Sequence, residues 1–516
     1  MALMSTASPP VPSAASAPVS PVIAESDIHH LSQAGDQEQP PASLFAKHLK
    51  VYPRKITGLY RRLKWAALVS LLGLYFLMPW VRWDRGPLMP DQAVFADLAG
   101  RRLYVFSIEL WPQDIYLLTG LLAFCAFGLF LTTALSGRLW CGYACPHTVW
   151  TDLFQLVERW IEGDRAERIR LDKGRWTQEK FLRKIGKHAA WLLIAVCSGT
   201  TFVSYFNDAQ ALARDLPHFN LTVTQTTFIF LFTFFCYFLA GYLREHVCIY
   251  MCPWPRFQAA MVDEDSLIVS YQALRGEQRA PLRKSVGWEQ RKARGLGDCI
   301  DCHQCQHVCP TGVDIRNGQQ LACIGCGICI DACNEVMVKI GRPGQLIAFD
   351  TLNRQVAEAA GEKRRLRLIR PRTLLYLVLM TVIGSLIAFT LATLPKLRVS
   401  VLRDRAPTYV LLAGGDIRNA YTLKLSNISN QPQSYTVSLA GIAGATLTVG
   451  GEQASLGAAK ITLHGDQDSV TTYRVLVRVP RAALTMESTP LRFVVQAGAD
   501  QEQVGYESVF LAPRLN

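Results

Sequence analysis

The first chemistry visible in this sequence is a run of eight cysteines between Cys299 and Cys333. Residues 299–310 read CIDCHQCQHVCP and residues 323–334 read CIGCGICIDACN, so both halves have the spacing C-x2-C-x2-C-x3-C. Thiolates with this spacing hold cuboidal iron–sulfur clusters, and in two-cluster ferredoxins the fourth cysteine of each run binds the other cluster. The run therefore predicts two [4Fe–4S] clusters, whose chemistry is the transfer of single electrons.

The crossed pattern predicts which thiols share a cluster. The first cluster is predicted to bind Cys299, Cys302, Cys305 and Cys333. The second cluster is predicted to bind Cys323, Cys326, Cys329 and Cys309. Zinc also takes four thiolates, but zinc modules usually carry two C-x2-C pairs with a longer spacer. Residues 299–303 also match the C-x-x-C-H haem pattern, which is far less specific, and Asn334 stands where proline is usual without being a ligand position.

A second cysteine pattern occurs twice, as CGYACP in residues 141–146 and CIYMCP in residues 248–253. Both follow an apolar run, so two repeated hairpins would bring the four thiols together. Within each motif the cysteines are spaced i and i+4, which on a helix places them on one face. Soft thiolates favour Cu(I) or a further iron–sulfur cluster, and the sequence does not choose between them. The predicted metal ligands are Cys141, Cys145, Cys248 and Cys252, with inert buried thiols as the alternative.

Other side chains near these motifs are weaker candidates. His147 and His246 flank the motifs as candidate ligands, with a structural role as the alternative. Packing is the ordinary role of small cysteines inside apolar runs, with a copper relay as the alternative. These cysteines are Cys125, Cys197 and Cys236. After Pro146, which suits a first helical turn, apolar residues at helical spacing predict an amphipathic helix on the bilayer surface.

Half of the 516 residues are hydrophobic, and five uncharged apolar runs approach the ~20 residues that a transmembrane helix needs. They are Trp65–Val81, Ile115–Leu135, Ala189–Phe206, Leu221–Leu243 and Thr373–Leu394. Lysine and arginine are concentrated elsewhere: residues 45–64 contain seven and residues 136–188 contain eleven. The positive-inside rule then places the N-terminus and the 244–372 segment in the cytoplasm and the C-terminal tail in the periplasm. This topology explains most of the net charge of +13, so no nucleic-acid partner is expected.

The predicted fold class is a multi-domain membrane protein. It joins an α-helical transmembrane bundle of five spans to a two-cluster ferredoxin-like domain and an all-β Ig-like sandwich. The sandwich follows from alternating residues such as Tyr473, Val475 and Val477, and from seven or eight expected strands. The predicted regions are a disordered tail (1–45) without a secretory signal, a four-span domain (46–250), a cytoplasmic ferredoxin domain (251–372), a fifth span (373–394) and a periplasmic sandwich (395–516).

This combination resembles the FixG/RdxA/CcoG family of bacterial cytochrome c oxidase accessory proteins. Besides the spans, both cysteine patterns and the sandwich, the stretches Arg403-Asp404-Arg405 and Ile417-Arg418-Asn419 match, and the resemblance covers residues 45–516. It implies a protein of the bacterial inner membrane that assists assembly of a cbb-type oxidase. It also implies reduction of Cu(II) to Cu(I), with oxidase subunits or copper chaperones as partners.

The expected mechanism begins with an unidentified cytoplasmic donor that reduces the two clusters. An electron then passes to the four motif cysteines, where copper is reduced. A ferredoxin subunit of a quinol or nitrate-type respiratory chain is one alternative function, and a scaffold with purely structural clusters is another. The sequence contains no recognisable nucleotide-binding loop, flavin site or nucleophile–base pair.

Overall fold

The structure is a computed structural model that describes residues 50–85, 89–283, 287–393, 397–427, 432–450, 457–466, 469–484, 486–498 and 503–513. The predicted disordered tail, residues 1–45, lies outside these ranges. The chain divides into two compact units, Met1–Ile387 and Ala388–Asn516. The expected four-span and ferredoxin regions therefore belong to one unit and pack together.

The first unit is mainly helical. Its helices up to the second C-x-Y-x-C-P motif are α1 Leu59–Leu77, α2 Ile115–Ser136, α3 Leu139–Tyr143, α4 Pro146–Glu162, α5 Arg165–Lys173, α6 Gln178–Ser204, α7 Ala209–Asp215 and α8 Val223–Tyr237. Two π-helical turns follow α8, Phe238–Leu243 and Val247–Met251. The later helices are α9 Trp254–Met261, α10 Ala273–Gly276, α11 Trp288–Ala293, α12 Gln304–His307, α13 Ile328–Lys339, α14 Leu352–Ala359 and α15 Pro371–Ala392.

Two small antiparallel sheets complete the first unit. The first, between α1 and α2, contains β1 Val94–Asp97, β2 Arg102–Val105 and β3 Ile108–Leu110. The second pairs β4 Ile268–Tyr271 with β5 Ile347–Asp350, on either side of the eight-cysteine run. Val269 and Ile347 from this ribbon share a buried core with Cys299 and Cys305. The ribbon therefore closes the chain around the cysteines.

Several helix boundaries follow from local sequence signals. Helix α8 begins with a capping box in which Thr222 accepts from the Gln225 N–H and the Gln225 side chain accepts from the Thr222 N–H. Asp164 and Glu167 form the same arrangement at the start of α5. Such reciprocal bonds satisfy N–H groups that a helix leaves unpaired at its first turn.

Within the described residues, four helices are long and apolar enough to cross a membrane: Leu59–Trp80, Pro112–Ser136, Val223–Leu243 and Pro371–Ala392. They correspond to four of the five runs expected from the sequence. The remaining run, Ala189–Phe206, lies in the C-terminal part of α6, a 27-residue helix whose first half is charged. That run stays a predicted span.

The second unit is a β-sandwich. Its strands are β6 Leu397–Arg403, β7 Val410–Leu411, β8 Ile417–Asn427, β9 Gln433–Ala440, β10 Thr446–Val449, β11 Lys460–Gly465, β12 Ser469–Val479, β13 Ser488–Ala497 and β14 Gln503–Leu511. One sheet has the order β10-β12-β8-β6 with β7 beside β8, and the other has the order β11-β9-β13-β14. Val475, Val477 and Tyr421 are fully buried between the sheets. The alternation is confirmed, and the described residues contain nine strands where seven or eight were expected.

Candidate iron–sulfur and thiol site

The eight-cysteine run forms two groups of thiols. Cys333 lies close enough to Cys305, Cys299 and Cys302 for these thiols to raise its pKa. Cys329 interacts most strongly with Cys326, Cys323 and Cys309, and less strongly with Cys305 of the first group. The fourth cysteine of each run therefore lies with the first three of the other run, which is the crossed grouping that the spacing predicts. Ligation of clusters by these groups stays a prediction.

The loops that carry these thiols turn their backbone N–H groups toward sulfur. The N–H groups of Gly325 and Ile328 bond to the thiols of Cys323 and Cys326. Gly325 has a φ of 66°, in the left-handed region that favours glycine. Hydrogen bonds to sulfur and limited solvent access are features by which proteins tune iron–sulfur clusters. The donor set and its surroundings thus fit two clusters.

Burial strongly disfavours ionisation of the thiols without metal. It raises the pKa of Cys305, Cys323 and Cys333 to about 12, and neighbouring thiols raise the pKa of Cys333 further. Ligating thiols are deprotonated, so cluster insertion must displace protons from this site. The buried, neutral thiol groups are consistent with a site completed by metal.

The C-x-Y-x-C-P motifs do not lie on continuous helices, so the expected one-face arrangement of each cysteine pair is wrong. Helix α3 ends at Tyr143, and Cys145 is extended with φ −62° and ψ 125°. Cys252 is likewise extended, with φ −81° and ψ 123°. The cause is Pro146 and its counterpart Pro253, because the residue before a proline is driven out of the helical region. Each motif is a break between two helices.

The two motifs nevertheless converge. Burial raises the pKa of Cys141 to about 12, with further raising by Cys145 and Cys252. Burial also raises the pKa of Cys248 to about 12, with contributions from Cys145, Cys141 and Cys252. Throughout the described part of the chain, no three Cys, His, Asp or Glu side chains are placed to bind one metal ion. The four thiols thus share a site without forming the compact shell of a single bound ion.

The converged thiols lie against the second predicted cluster. Cys141 and Cys248 pack on a buried group that includes Cys326 and Ile324. The Tyr143 hydroxyl, from the first motif, donates to the carbonyl oxygen of Cys326 at 2.9 Å. The Cys141 thiol is 3.1 Å from Oε1 of buried Gln258 on α9. The central residues of the motif therefore touch the cysteine loop directly.

Gly142 allows this close approach, so its replacement is expected to damage the second cluster site. A Cβ at position 142 would lie 3.0 Å from Cα of Cys326 and 3.0 Å from the Ile324 oxygen. Overpacking of this kind costs about 1–3 kcal/mol. Gly142→Ala is expected to lower iron retention during heating, measured by metal analysis after gel filtration. Gly73→Ala on α1 is the control, because nothing lies within 4 Å there; equal iron loss in both variants would contradict the contact.

Two charged side chains missed in the sequence join these parts. Arg138 donates to the carbonyl oxygens of Leu321, of Cys323 at 3.0 Å and of Pro255 at 3.0 Å. Asp331 on α13 accepts from the backbone N–H of Arg61 at 2.8 Å and of Tyr60 at 3.3 Å, at the start of α1. The only sequence signal for these contacts is the presence of a charge within a cysteine motif or beside one.

A buried ion-pair network lies behind the first motif, on α4. Glu158 is fully buried and accepts from Arg168 at 2.8 Å and Arg244 at 2.9 Å. Asp152 pairs with Arg61 at 2.9 Å and lies 4.0 Å from the Lys64 nitrogen. The helix predicted after Pro146 is present, but its polar side is buried in this network.

The flanking histidines have other contacts. His147 Nε2 is 2.8 Å from the carbonyl oxygen of Arg244, and burial lowers its pKa. The His246 ring stacks on Tyr250 at 5.5 Å. Of the cysteines inside apolar runs, Cys125 and Cys197 are exposed and Cys236 is half-buried. Of these cysteines and the motif cysteines, all within the described residues, Cys141 and Cys248 are the two that pack beside Cys326.

Together, the fold and the site define an iron–sulfur protein of the two-cluster ferredoxin type, with apolar helices of membrane-spanning length and a separate Ig-like unit. Comparison with known families agrees at each part. Residues 243–352 match a 4Fe-4S dicluster domain, and residues 118–163 match a 4Fe-4S binding domain. Residues 387–513 match the IG-like fold at the C-terminus of FixG.

Relatives that align with three quarters of the chain identify the family. Protein RdxA of Cereibacter sphaeroides is 46% identical over 391 residues, which cover 75% of this chain and 81% of RdxA. The nitrogen fixation protein FixG of Rhizobium meliloti is 44% identical over 411 residues, covering 75% of this chain and 78% of FixG. Protein RdxB of Cereibacter sphaeroides is 46% identical over 398 residues, which cover 75% of this chain and 81% of RdxB. The chain belongs to the FixG/RdxA family.

Proposed function

We propose that this protein is an inner-membrane electron-transfer protein that reduces Cu(II) to Cu(I) during assembly of a cbb-type oxidase. One observation carries the proposal. The four thiols of the C-x-Y-x-C-P motifs converge, and Cys141 and Cys248 of that set pack against Cys326 of the second predicted cluster. A group of soft sulfur atoms therefore adjoins a predicted electron carrier.

The residues have distinct roles in this proposal. When bound, the two clusters supply single electrons, and reduction of Cu(II) to Cu(I) consumes one. Thiols of the motifs receive the copper because soft ligands favour Cu(I). Cys145 and Cys252 lie at the helix breaks and not within helices. In this proposal their thiols move toward those of Cys141 and Cys248 when copper binds. Arg138 and Gly142 hold the motif against the cysteine loop.

A small polar cavity supports access to this site. It measures about 20 Å³ and is lined by Cys248, His147 and Lys64, and by Pro310 and Ile324 beside the cluster cysteines. A cavity of this size holds about one water molecule. There is therefore room for about one water molecule beside the Cys248 thiol.

The proposed topology has five spans, with α6 providing the third. The distribution of lysine and arginine supports a cytoplasmic ferredoxin region and a periplasmic sandwich. The proposed partners are oxidase subunits or copper chaperones. The sandwich, with a fully buried core and no cysteine, suits docking better than chemistry.

Copper binding is expected to require the motif thiols. Cys145→Ala/Cys252→Ala is expected to lose copper binding and Cu(II) reduction while keeping about eight iron atoms per chain. The matched control is Cys125→Ala/Cys197→Ala, in which both cysteines are exposed outside the site. Copper content by mass spectrometry and Cu(I) capture by a colorimetric chelator measure the outcome. Copper binding and reduction that survive the first double substitution would sink the proposal.

The same purified protein distinguishes the second candidate, a third iron–sulfur cluster at the motifs. The specific observation in its favour is that the 4Fe-4S binding domain matched at residues 118–163 includes the first motif. This candidate expects about twelve iron atoms per chain, falling to about eight when the motif cysteines are replaced.

A further inference from the structure

A groove on the outer surface of α6 and α8 has no role in the proposed copper site. We call it the α6 groove, and it has a volume of about 470 Å³. Small-molecule sites commonly measure about 300–1,000 Å³. Its lining includes Trp176, Phe181, Ile185, His188, Leu192 and Tyr237. The lining is thus mainly aromatic and aliphatic, with the polar pair His188 and Tyr237 and one charged residue, Lys184.

That polar pair lies between apolar walls. His188 Nδ1 and the Tyr237 hydroxyl share a hydrogen bond of 2.9 Å. Among the residues that the structure describes, the His188 ring makes no other hydrogen bond. Tyr242 stacks on the same ring at 5.9 Å between centroids. The second ring nitrogen is therefore left for a ligand with a hydroxyl or carbonyl group.

The charges near the groove favour a neutral ligand over an anionic headgroup. Lys184 is the cation at the groove, and its nitrogen is 2.8 Å from Glu162 and 2.5 Å from Asp172. Lys184 is thus already paired with two carboxylates, which disfavours an anionic headgroup at this position. The preferred occupant is a neutral, flat, apolar molecule with polar ring substituents.

The groove straddles the predicted membrane surface, because Leu192 and Tyr237 lie in expected spans whereas Trp176, Phe181 and Ile185 lie outside them. His188 is at the start of the predicted third span, and Leu192 is four residues deeper, about 6 Å along the helix. Trp176 precedes α6 and packs against Lys180 at 5.1 Å, in the manner of aromatic residues at membrane surfaces. A lipid-soluble ligand can enter sideways from the bilayer.

A continuous series of contacts connects the groove to the motif thiols. The His188 ring meets the Trp191 ring edge-on at 5.3 Å, and the guanidinium of Arg244 lies over Trp191 at 5.1 Å. The carbonyl of Arg244 contacts His147 at 2.8 Å. His147 is two residues from Cys145. The groove is therefore joined to the thiol site by two contacts between side chains and by one contact through the Arg244 carbonyl.

From these observations we propose that the α6 groove binds a membrane quinol and is where electrons enter the protein. This inference rests on the proposed function and replaces the cytoplasmic donor expected from the sequence. Each quinol loses two electrons and two protons and becomes a quinone. His188 accepts one hydroxyl proton, the second leaves to water, and the two electrons pass singly to the iron–sulfur groups of the chain.

The test uses the purified full chain with iron bound. A photoreactive azidoquinone is expected to label residues 176–192, and excess decylubiquinone is expected to prevent the labelling. Under anaerobic conditions decylubiquinol is expected to bleach the iron–sulfur absorbance. His188→Gln and Tyr237→Phe are each expected to slow this bleaching at least about tenfold, as for lost proton-transfer groups. Dithionite should bleach all variants equally.

Two matched controls separate the groove from general damage. His218→Gln and Tyr116→Phe replace exposed residues outside the groove and should leave labelling and bleaching unchanged. Three results would overturn the inference. The azidoquinone could label residues outside the groove, the groove could be labelled by an alkyl lipid probe and not by the quinone, or quinol could bleach every variant equally. If dithionite-reduced protein reduces Cu(II) but quinol does not bleach it, this inference fails alone. If reduced protein leaves Cu(II) unchanged, the proposed function fails.

Discussion

Replacement of Cys309 by alanine is expected to eliminate the cluster assigned to the second cysteine run, although Cys309 belongs to the first. The protein should keep about four of its eight iron atoms. The reason is the crossed grouping, in which Cys329 faces Cys326, Cys323 and Cys309. Iron analysis and electron paramagnetic resonance of the reduced protein measure which signal disappears.

Double substitutions make this test independent of general damage. Cys309→Ala/Cys326→Ala removes two ligands of one predicted cluster, so it should retain the same four iron atoms as either single variant. Cys309→Ala/Cys302→Ala removes one ligand from each cluster and should retain almost none. An uncrossed arrangement predicts the opposite ranking of these two variants, so the iron contents decide between them.

Replacement of Glu158 by alanine is expected to cause the largest loss of stability of any single change on α4. The carboxylate is 0% exposed and faces Arg168 and Arg244. Its loss leaves two buried guanidinium groups without their carboxylate partner, which costs about 3–5 kcal/mol. Unfolding by denaturant in mixed micelles measures the free energy.

The control is Glu179→Ala. Glu179 pairs with Arg183 at 2.7 Å, but the two side chains are 69% and 40% exposed. Exposed pairs contribute about 0.2–1 kcal/mol, so this variant should unfold nearly as the wild type does. Similar losses in both variants would mean that Glu158 is not buried in a charged network.

The same carboxylate predicts a pH dependence. Burial alone would raise the pKa of Glu158, but Arg244 and Arg168 outweigh it and hold the pKa at about 2. A lowered pKa stabilises the fold above the ordinary glutamate value, and this contribution is lost as the pH falls toward 2. The difference in stability between wild type and Glu158→Gln should therefore shrink below about pH 4.5.

Local spacing predicted the parts of the site that depend on short stretches of chain. The two cysteine runs, the repeated C-x-Y-x-C-P motifs and the alternating strands of the sandwich are all periodic over a few residues. The convergence of the motifs followed from the repeat alone. The helix breaks at Cys145 and Cys252 were missed although Pro146 and Pro253 signal them.

Contacts between distant residues could not be predicted in this way. Arg138 reaches carbonyl groups more than 180 positions away. Glu158 is buried against Arg168 on α5, Lys187 on α6 and Arg244, and the apolar pattern does not specify these contacts. An amphipathic helix is recognised in a sequence by the spacing of its apolar residues. That spacing does not show whether the polar residues of the same helix are also buried. These contacts depend on how helices cross, which a single sequence without relatives does not reveal.

The Asp331 carboxylate that caps the first helix has a consequence for biosynthesis. The capped N–H of Arg61 and the cap are 270 residues apart. Ribosomes add about 5–20 residues per second, so roughly 15–55 s pass between synthesis of the helix start and synthesis of its cap. During that interval the first turn depends on water for its hydrogen bonds. The first turn of α1 therefore receives its cap only after seven of the eight cysteines have been synthesised. The final folding of this membrane helix is thus expected to coincide with the stage at which the chain can bind its clusters.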